Sequence, residues 1–330
     1  MSCSSDQGER DSDPKNADGD MDDDHDQLTP ESLAPAPIDS LYEVTKLKSL
    51  RTTDSTNDIT TGRSTKSVIQ PDFISRGVIS LDDAERLAKL YMSRLDHYFY
   101  GHLERYTDLS SVRESSTMLA ACICTVAALH DAAGSNLYDI CLHEFRTLVS
   151  SSMFTQRLGL EDIRALCVGS YWLCEISWML SGYGIRKAIT LQLHNTHMKQ
   201  PYTSPDDFLR SQLWLLLYLC DQQISILHGL PPMVADKESV MLGEHVASPF
   251  ATDADLRCVS HIDLLFILGR IRDLYGSDKT KPILDLFTSQ LRHFNGQIDK
   301  WGATWSGKLG KLAMPFYADI CMTDYPFPPE

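Results

Sequence analysis

The sequence predicts an all-α fold, arranged as a multi-helix bundle or orthogonal helical array with eight or more helices. Apolar residues recur at helical spacing through most of the chain beyond residue 67. The eight residues from Leu213 to Cys220 are all apolar or aromatic, which is typical of a helix that is buried on every side. The same region shows no useful length of the two-residue alternation that marks a half-buried strand.

Composition divides the chain into two parts. Residues 1–66 are rich in Asp, Ser, Thr, Gly and Pro, and residues 1–30 alone hold ten acidic and two basic residues. Such a segment buries too little apolar surface to offset its ordering entropy, so we expect a disordered acidic N-terminal arm. The arm is either a solvating tail or an acidic activation or docking segment. Residues 67–330 are expected to form one helical domain.

Charge and cysteine usage exclude several classes of protein. A net charge of −15 argues against an extended nucleic-acid surface, because an acidic chain repels phosphates. No segment approaches the roughly 20 apolar residues of a membrane span, and no secretory signal is visible, so we expect an intracellular protein that binds no membrane. The nine cysteines are odd in number and lie mostly in apolar helical runs, which favours reduced, buried thiols.

Caps and periodicity predict the outer helices in order. Ser80 is the expected N-cap of the first, because acidic residues that suit a helix N-terminus follow it. Gly182 and Gly184 lie inside the fifth, where we expect the central helix to cross closely. Further helices are predicted over about 115–130, 137–153, 160–174, 177–196, 253–275 and 282–300, with irregular chain over 233–252 and a tail rich in Gly, Pro and aromatics over 301–330.

The central helix is predicted from about Pro205 to His228. Its apolar run is too short to cross a membrane, and Leu, Tyr, Trp and Cys outnumber β-branched residues in it, which argues against a strand. Gly229 is placed for a left-handed C-cap, and Pro231 and Pro232 prevent further winding. We therefore expect a buried rod around which the other helices pack.

Two pieces of this region carry a motif. One is an Arg-x-Ala helix that ends in Leu-His, and the other combines Leu-Trp, an aliphatic-Tyr pair, Asp, Ser and Gly-x-Pro-Pro. Together they resemble the middle homology region of fungal zinc-cluster transcription factors, over roughly residues 70 to 320. Gln192 stands where that family usually has Gly, and Gln222 and Leu230 stand where it usually has Arg. The matching residues, called the signature residues below, are Arg186, Ala188, Leu193, His194, Leu213, Trp214, Tyr218, Asp221, Ser225, Gly229, Pro231 and Pro232.

The resemblance implies a helical regulatory (middle homology) domain over residues 67–330 and transcription regulation in a fungal nucleus. It implies other transcription-factor subunits or coregulators as partners, and a small-molecule effector. The alternative is a helical scaffold or dimerisation protein that partners a complete zinc-cluster factor. Because the family usually continues beyond the position of this C-terminus, we also expect an exposed apolar edge near the end of the chain.

The sequence contains no recognisable set of metal ligands. The family's DNA-binding module holds two zinc ions with six cysteines in two Cys-x-x-Cys groups, but only Cys3 precedes Cys122 here. We therefore expect no zinc or other cofactor and no direct specific DNA binding by this chain. His194 and His197 are one helical turn apart and are interpreted as structural. Cys167 and Cys174, seven residues apart, are interpreted as core packing.

Catalytic motifs are absent from the sequence, so we expect no enzyme. It contains neither a Gly-x-Ser-x-Gly elbow nor a phosphate loop.

The polar residue that most needs a partner is Asp221, because a carboxylate in an apolar helix costs several kcal/mol unless it is paired. Arg186 is the predicted partner, and the alternative is that Asp221 lies at a solvated helix end. A ligand or partner that binds between helices near Trp214 and Tyr218 is expected to shift the packing.

Overall fold

A computed structural model describes residues 72–131, 136–154, 158–234, 242–275 and 288–309. These residues form helices packed on one another and include no strand, as the sequence predicts. The predicted arm over 1–66 and the expected apolar edge near the C-terminus lie outside the described residues. The α-helices are α1 Leu81–Leu90, α2 Leu109–Ser115, α3 Thr117–Leu129, α4 Leu137–Ser152, α5 Leu160–Trp172, α6 Ser177–Thr190, α7 Leu193–His197, α8 Pro205–His228, α9 Leu242–Val246, α10 Asp253–Tyr275 and α11 Thr288–Leu309.

The first helix begins as its sequence predicts. Ser80 Oγ accepts the backbone N–H of Asp83 at 3.1 Å, which satisfies one of the free donors of the first turn. Beyond α1 the chain stays helical as a π-helical turn over Tyr91–Leu95 and a 3-10 turn over Asp96–Phe99. The cap residue Tyr100 then adopts a left-handed conformation, with φ of 62°, and ends the helical segment.

The predicted central rod is α8, which packs against α5, α6, α7 and α10. Trp214 is 2% exposed and Tyr218 is 1% exposed, so the rod is enclosed on all sides there. Ser204 caps its start by accepting the N–H of Asp207 at 3.2 Å, and Gly229 ends it with φ of 66°. Both ends therefore follow from local sequence, and the predicted bounds are confirmed.

A single helix was expected over residues 177–196, but the structure divides it into α6 and α7. The break lies at Gln192, whose φ of 62° is left-handed. Glycine adopts that conformation without strain, whereas a residue with a Cβ is disfavoured there. Gln192 stands at the position where the resembling family usually has Gly, so the break explains why a glycine suits this position.

In the C-terminal part, the helices of the structure differ from the sequence-based prediction in two places. Residues from Trp301 onward were expected to leave helical structure, but α11 continues to Leu309. It is held by Trp301 Nε1, which donates to the carbonyl of Ser260 at 2.8 Å, and by Trp305 Nε1, which donates to Asp263 at 2.9 Å. The span over 233–252 was expected to be irregular, yet it contains the short helix α9.

Close helix crossing at the glycines of α6 is confirmed for one of the two. A Cβ added at Gly184 would lie 2.8 Å from Cδ2 of Leu217 in the central helix, which is closer than real Cβ contacts. A Cβ at Gly182 would instead meet Sδ of Met233, at 3.2 Å, in the loop that follows α8. Gly184 therefore fixes the distance between α6 and the rod.

We expect Gly184→Ala to lower the free energy of unfolding by about 1 to 2 kcal/mol, because overpacking outweighs the helix propensity that alanine gains. Gly302→Ala is the matched control. It lies in α11 with no atom within 4 Å of an added Cβ, and it should raise stability by about 0.5–1 kcal/mol. Urea denaturation measures both variants. Equal gains in the two would show that α6 does not approach α8 this closely.

The described cysteines are free thiols and all but one are buried. Burial raises the pKa of the Cys141 thiol to about 12, so it stays protonated at neutral pH. Cys167 packs in the core as expected. Cys174 is exposed, contrary to the prediction, because α5 ends at Trp172 and the seven-residue spacing no longer keeps both sulfurs on one face.

Candidate regulatory site at the two ends of the central helix

At the C-terminal end of α8, Asp221 fastens the following loop to the rod. The side chain is 4% exposed, and one carboxylate oxygen accepts the backbone N–H groups of Met233 at 2.8 Å and Val234 at 2.9 Å. Beside it, Gln222 Nε2 donates to the carbonyl of Val234 at 3.0 Å. The two side chains thus replace the water that would otherwise solvate this loop.

The predicted ion pair between Asp221 and Arg186 is not formed. Among the ion pairs of the described residues these two do not meet, and Arg186 lies exposed on α6. The alternative, a solvated helix end, also fails because Asp221 is buried. Burial raises the pKa of the Asp221 carboxyl, while the two N–H donors and the charge of Arg272 act in the opposite direction. Backbone donors satisfy this carboxylate, so it needs no direct arginine contact.

The remaining signature residues of this end close the turn after α8. The N–H of Leu230 donates to the carbonyl of Ser225 at 3.1 Å, and Ser225 Oγ donates back to the carbonyl of Leu230. The Arg272 guanidinium of α10 contacts the same hydroxyl. The sequence did not predict the contact of Arg272 with Ser225, because the two residues are 47 positions apart and no motif links them. Asp221, Ser225 and Gly229 together therefore hold one turn.

The upstream signature residues pack on the rod. Ala188 and Leu193 are fully buried, and the ring of His194 lies 5.8 Å from that of Trp214. Leu213 is buried with them. Within the described part of the chain, no group of three or more His, Cys, Asp or Glu side chains is placed to hold a metal ion.

A second polar cluster, which the sequence did not reveal, lies near the N-terminal end of α8. Ser211 is fully buried, and its Oγ lies 2.8 Å from Nδ1 of His197 and 2.5 Å from the hydroxyl of Tyr202. The Tyr202 hydroxyl also lies 3.1 Å from Nδ1 of His245 in α9. In the sequence, only the serine within an apolar helix indicated that polar partners lie nearby. The cluster joins α7, α8 and α9.

Asp255 extends this cluster to α10. It accepts from Gln212 Nε2 at 2.5 Å and from the N–H of Thr252 at 2.8 Å, and it lies 3.9 Å from Nε2 of His245. Burial acts to raise its pKa, but these neighbours more than offset burial, so the pKa is lowered and the carboxylate stays charged.

Ser211, His245 and Asp255 are the residue types of a hydrolase triad, but the geometry does not build one. The 3.9 Å separation of His245 and Asp255 exceeds a hydrogen bond, and the Ser211 hydroxyl is fully buried.

Tyr202 also forms a wall of a cleft of about 320 Å³ beside α9. Burial raises the pKa of the Tyr202 hydroxyl, and the negative charge of Glu244 adds to that shift. A ligand was expected near Trp214 and Tyr218, but those rings are enclosed by helices, so this cleft is the better candidate. Its lining residues are Pro201, Tyr202, Glu244, Ala247, Ser248 and Pro249.

Two further buried histidines make the fold sensitive to acid. Burial, together with the Arg164 guanidinium 3.0 Å from its Nδ1, lowers the pKa of His102 to about 3. Burial alone lowers the pKa of His261 to about 4, and the Tyr100 hydroxyl lies 2.7 Å from its Nδ1. Both rings are therefore neutral in the folded state at pH values where an unfolded chain carries the proton.

We expect acidification from pH 7.5 to pH 5 to destabilise the fold by about 2 kcal/mol for each of these histidines, since the unfolded state gains a proton below pKa 6.5 and the folded state does not. Asp96 offsets part of the loss, because burial raises its pKa to about 6 and it is protonated over the same range. His261→Asn should reduce the loss measured by urea denaturation at the two pH values. An unchanged difference would contradict the assignment.

A known protein is similar to most of this chain. Over 301 residues the chain is 37% identical to the transcriptional activator of proteases prtT of Emericella nidulans. This chain is related to a fungal transcriptional activator. The alignment covers 91% of this chain and 45% of the activator, so the chain spans less than half the length of its relative. No protein-family model matches the chain, and no solved structure matches it. None of the described helices is long and apolar enough to cross a membrane.

Proposed function

We propose that this chain is an effector-sensing, helical regulatory region of a fungal transcription regulator and that it acts in the nucleus. The observation that carries the proposal is its 37% identity to a fungal transcriptional activator over most of the chain. Most of the signature residues support it, because they are buried in or against α8, whereas Arg186 and Pro231 are exposed. The region works by binding and not by catalysis.

DNA contact is assigned to a zinc cluster outside this sequence, supplied by a partner subunit or another region. The sequence contains no Cys-x-x-Cys pair and carries a net charge of −15, so it offers neither the ligands nor the charge for that task. Other transcription-factor subunits or coregulators would then be its protein partners. The relative is named as a transcriptional activator of proteases, and we propose the same regulatory role for this chain.

Deletion and restoration of the gene test this function in the fungus. Loss of the chain should change the transcript levels of protease genes, and a fluorescent fusion should accumulate in the nucleus. Trp214→Ala at equal protein level should fail to restore the transcripts, whereas Leu129→Ala, which replaces an exposed leucine, should restore them. Unchanged transcripts and a fusion kept out of the nucleus would overturn the proposal.

The effector site of this region is proposed to be the cleft beside Tyr202. Glu244 supplies a carboxylate, and Pro201, Tyr202 and Pro249 supply largely apolar walls, which together suit a small organic cation with an apolar body. The Tyr202 hydroxyl bonds inward to Ser211 of α8, so a ligand that contacts Tyr202 from the cleft would act on the rod. This link gives the effector a path to bias the helix packing.

Thermal denaturation with a panel of primary amines and matched alcohols tests the cleft. Amines should raise the melting temperature more than alcohols of the same carbon skeleton, and Glu244→Gln should remove that difference. The response of Asp253→Asn, a charge loss at the exposed start of α10, should match that of the unaltered chain. Equal stabilisation by amines and alcohols would exclude a cation site.

A second candidate function, a helical scaffold that pairs with a complete zinc-cluster factor, is favoured by one observation. Large apolar side chains lie exposed on α6, including Trp178 and Met179. Monomeric proteins rarely expose contiguous apolar patches larger than a few hundred Å² unless the patch serves an interaction.

A further inference from the structure

The outer face of α6 carries several exposed apolar side chains. Residues 178, 182, 186 and 189 repeat at steps of three and four, so they share one side of the helix, and residue 179 lies beside them. Trp178 is 50% exposed, Met179 is 60% exposed and Ile189 is 44% exposed. We name this surface, together with the loop residue beside it, the α6 patch; it comprises Trp178, Met179, Gly182, Arg186, Ile189 and Met233.

The patch extends onto the loop after α8 because Gly182 has no side chain. Met233, which is 44% exposed, occupies the space beside it, and an added Cβ at Gly182 would lie 3.2 Å from the methionine sulfur. The backbone of Met233 is fixed by Asp221, whose carboxylate accepts its N–H at 2.8 Å. The helix α6 and the start of the loop after α8 therefore present this surface together.

Arg186 is the single charged residue within the patch. We expected it to pair with Asp221, but that carboxylate is satisfied by backbone donors. Within the described residues, the Arg186 guanidinium forms no ion pair, and Glu175, the nearest acid along the chain, pairs with Arg146 at 3.4 Å. A partner that covers the patch must therefore bring its own carboxylate, since a desolvated, unpaired guanidinium is unfavourable.

We propose that the α6 patch docks an amphipathic α-helix of another protein, in which apolar side chains flank a carboxylate that pairs with Arg186. The patch runs from residue 178 to 189, about 16 Å along the helix axis, which matches about three turns of a partner helix. Trp178 and Met179 form the apolar contacts, and methionine adapts well to such a surface. Arg186 sets the register and the sign of the charge.

A second copy of this chain is the competing occupant. A two-fold dimer would place the patch against itself, so each Arg186 would meet a surface that carries another Arg186 and no acid. The charge thus favours an acidic partner over self-association. This interaction does not involve the effector cleft or the transcriptional output, so the failure of either would leave it standing. It uses the same exposed side chains of α6 that favour the scaffold function.

The probe is a synthetic, fluorescein-labelled helical peptide of about four turns, with a leucine stripe and one glutamate within it. Its control replaces the glutamate with lysine. Fluorescence anisotropy with the 330-residue chain should show at least about fivefold tighter binding of the glutamate peptide. Arg186→Glu should reverse that preference, Trp178→Ala should weaken binding at least about tenfold, and Leu129→Ala should leave it unchanged.

Circular dichroism of each variant separates binding from folding, because the replaced side chains are exposed and their removal should not alter the melting temperature. Two results would overturn the proposal. One is a peptide preference that is absent or that Arg186→Glu leaves unaltered. The other is sedimentation equilibrium showing a dimer that Trp178→Ala dissociates, since the occupant would then be a second copy.

Discussion

Trp214→Ala is expected to lower the free energy of unfolding by about 3 to 5 kcal/mol. The side chain is 2% exposed and lies where α7 packs on α8, so truncation leaves a cavity at the centre of the fold. Because natural domains are stable by only about 5–15 kcal/mol, this single change removes a large fraction of the total. Urea denaturation at fixed pH measures the effect.

Trp214→Phe is the matched control for that experiment. Among the described residues, the indole Nε1 has no hydrogen-bond partner although it is buried. Phenylalanine removes this unsatisfied donor and keeps most of the ring, so we expect a loss below about 2 kcal/mol. If alanine were tolerated to within about 1 kcal/mol, α8 would not be the buried rod described above.

Asp221→Ala is expected to cost about 3 kcal/mol, because it leaves the backbone N–H groups of Met233 and Val234 without an acceptor in a buried site. Asp221→Asn retains an acceptor oxygen and should cost clearly less. The same variants should loosen the loop after α8, which hydrogen exchange at Met233 and Val234 would report.

Arg186→Ala distinguishes an Asp221 carboxylate held by backbone N–H groups from one held by an ion pair with Arg186. If Asp221 relied on Arg186, removal of the arginine would leave a buried charge unpaired and cost several kcal/mol. Because Arg186 is exposed and Asp221 is held by backbone donors, we expect a change within about 0.5 kcal/mol. A loss as large as that of Asp221→Ala would contradict the geometry described here.

The central helix was predictable because its determinants are local. The apolar run from Leu213 to Cys220 specifies burial on all sides, and Ser204 and Gly229 act within one turn of the helix ends that they cap. The same holds for Ser80 at the start of α1. Wherever a boundary depends on a side chain within a few residues, the sequence carries the information.

The partners of the polar residues were less predictable, because they depend on distant chain or on backbone. The acceptor role of Asp221 toward Met233 and Val234 has no residue-type signal, since every residue but proline has an N–H. The cluster of Ser211, Tyr202 and His245 joins segments up to 43 residues apart. Helical spacing no longer fixes the direction of a side chain beyond the end of the helix. Cys174 was predicted to be buried because the end of α5 at Trp172 was not foreseen.

Polar attachment at both ends of α8 has a mechanical consequence. The 24-residue rod is about 36 Å long, with Ser211 fastened near one end and Asp221 near the other. A slide or rotation of the rod would have to release both sets of hydrogen bonds together and repack the buried leucines between them. Any response that passes through this helix should therefore be a switch between discrete positions, not a graded adjustment.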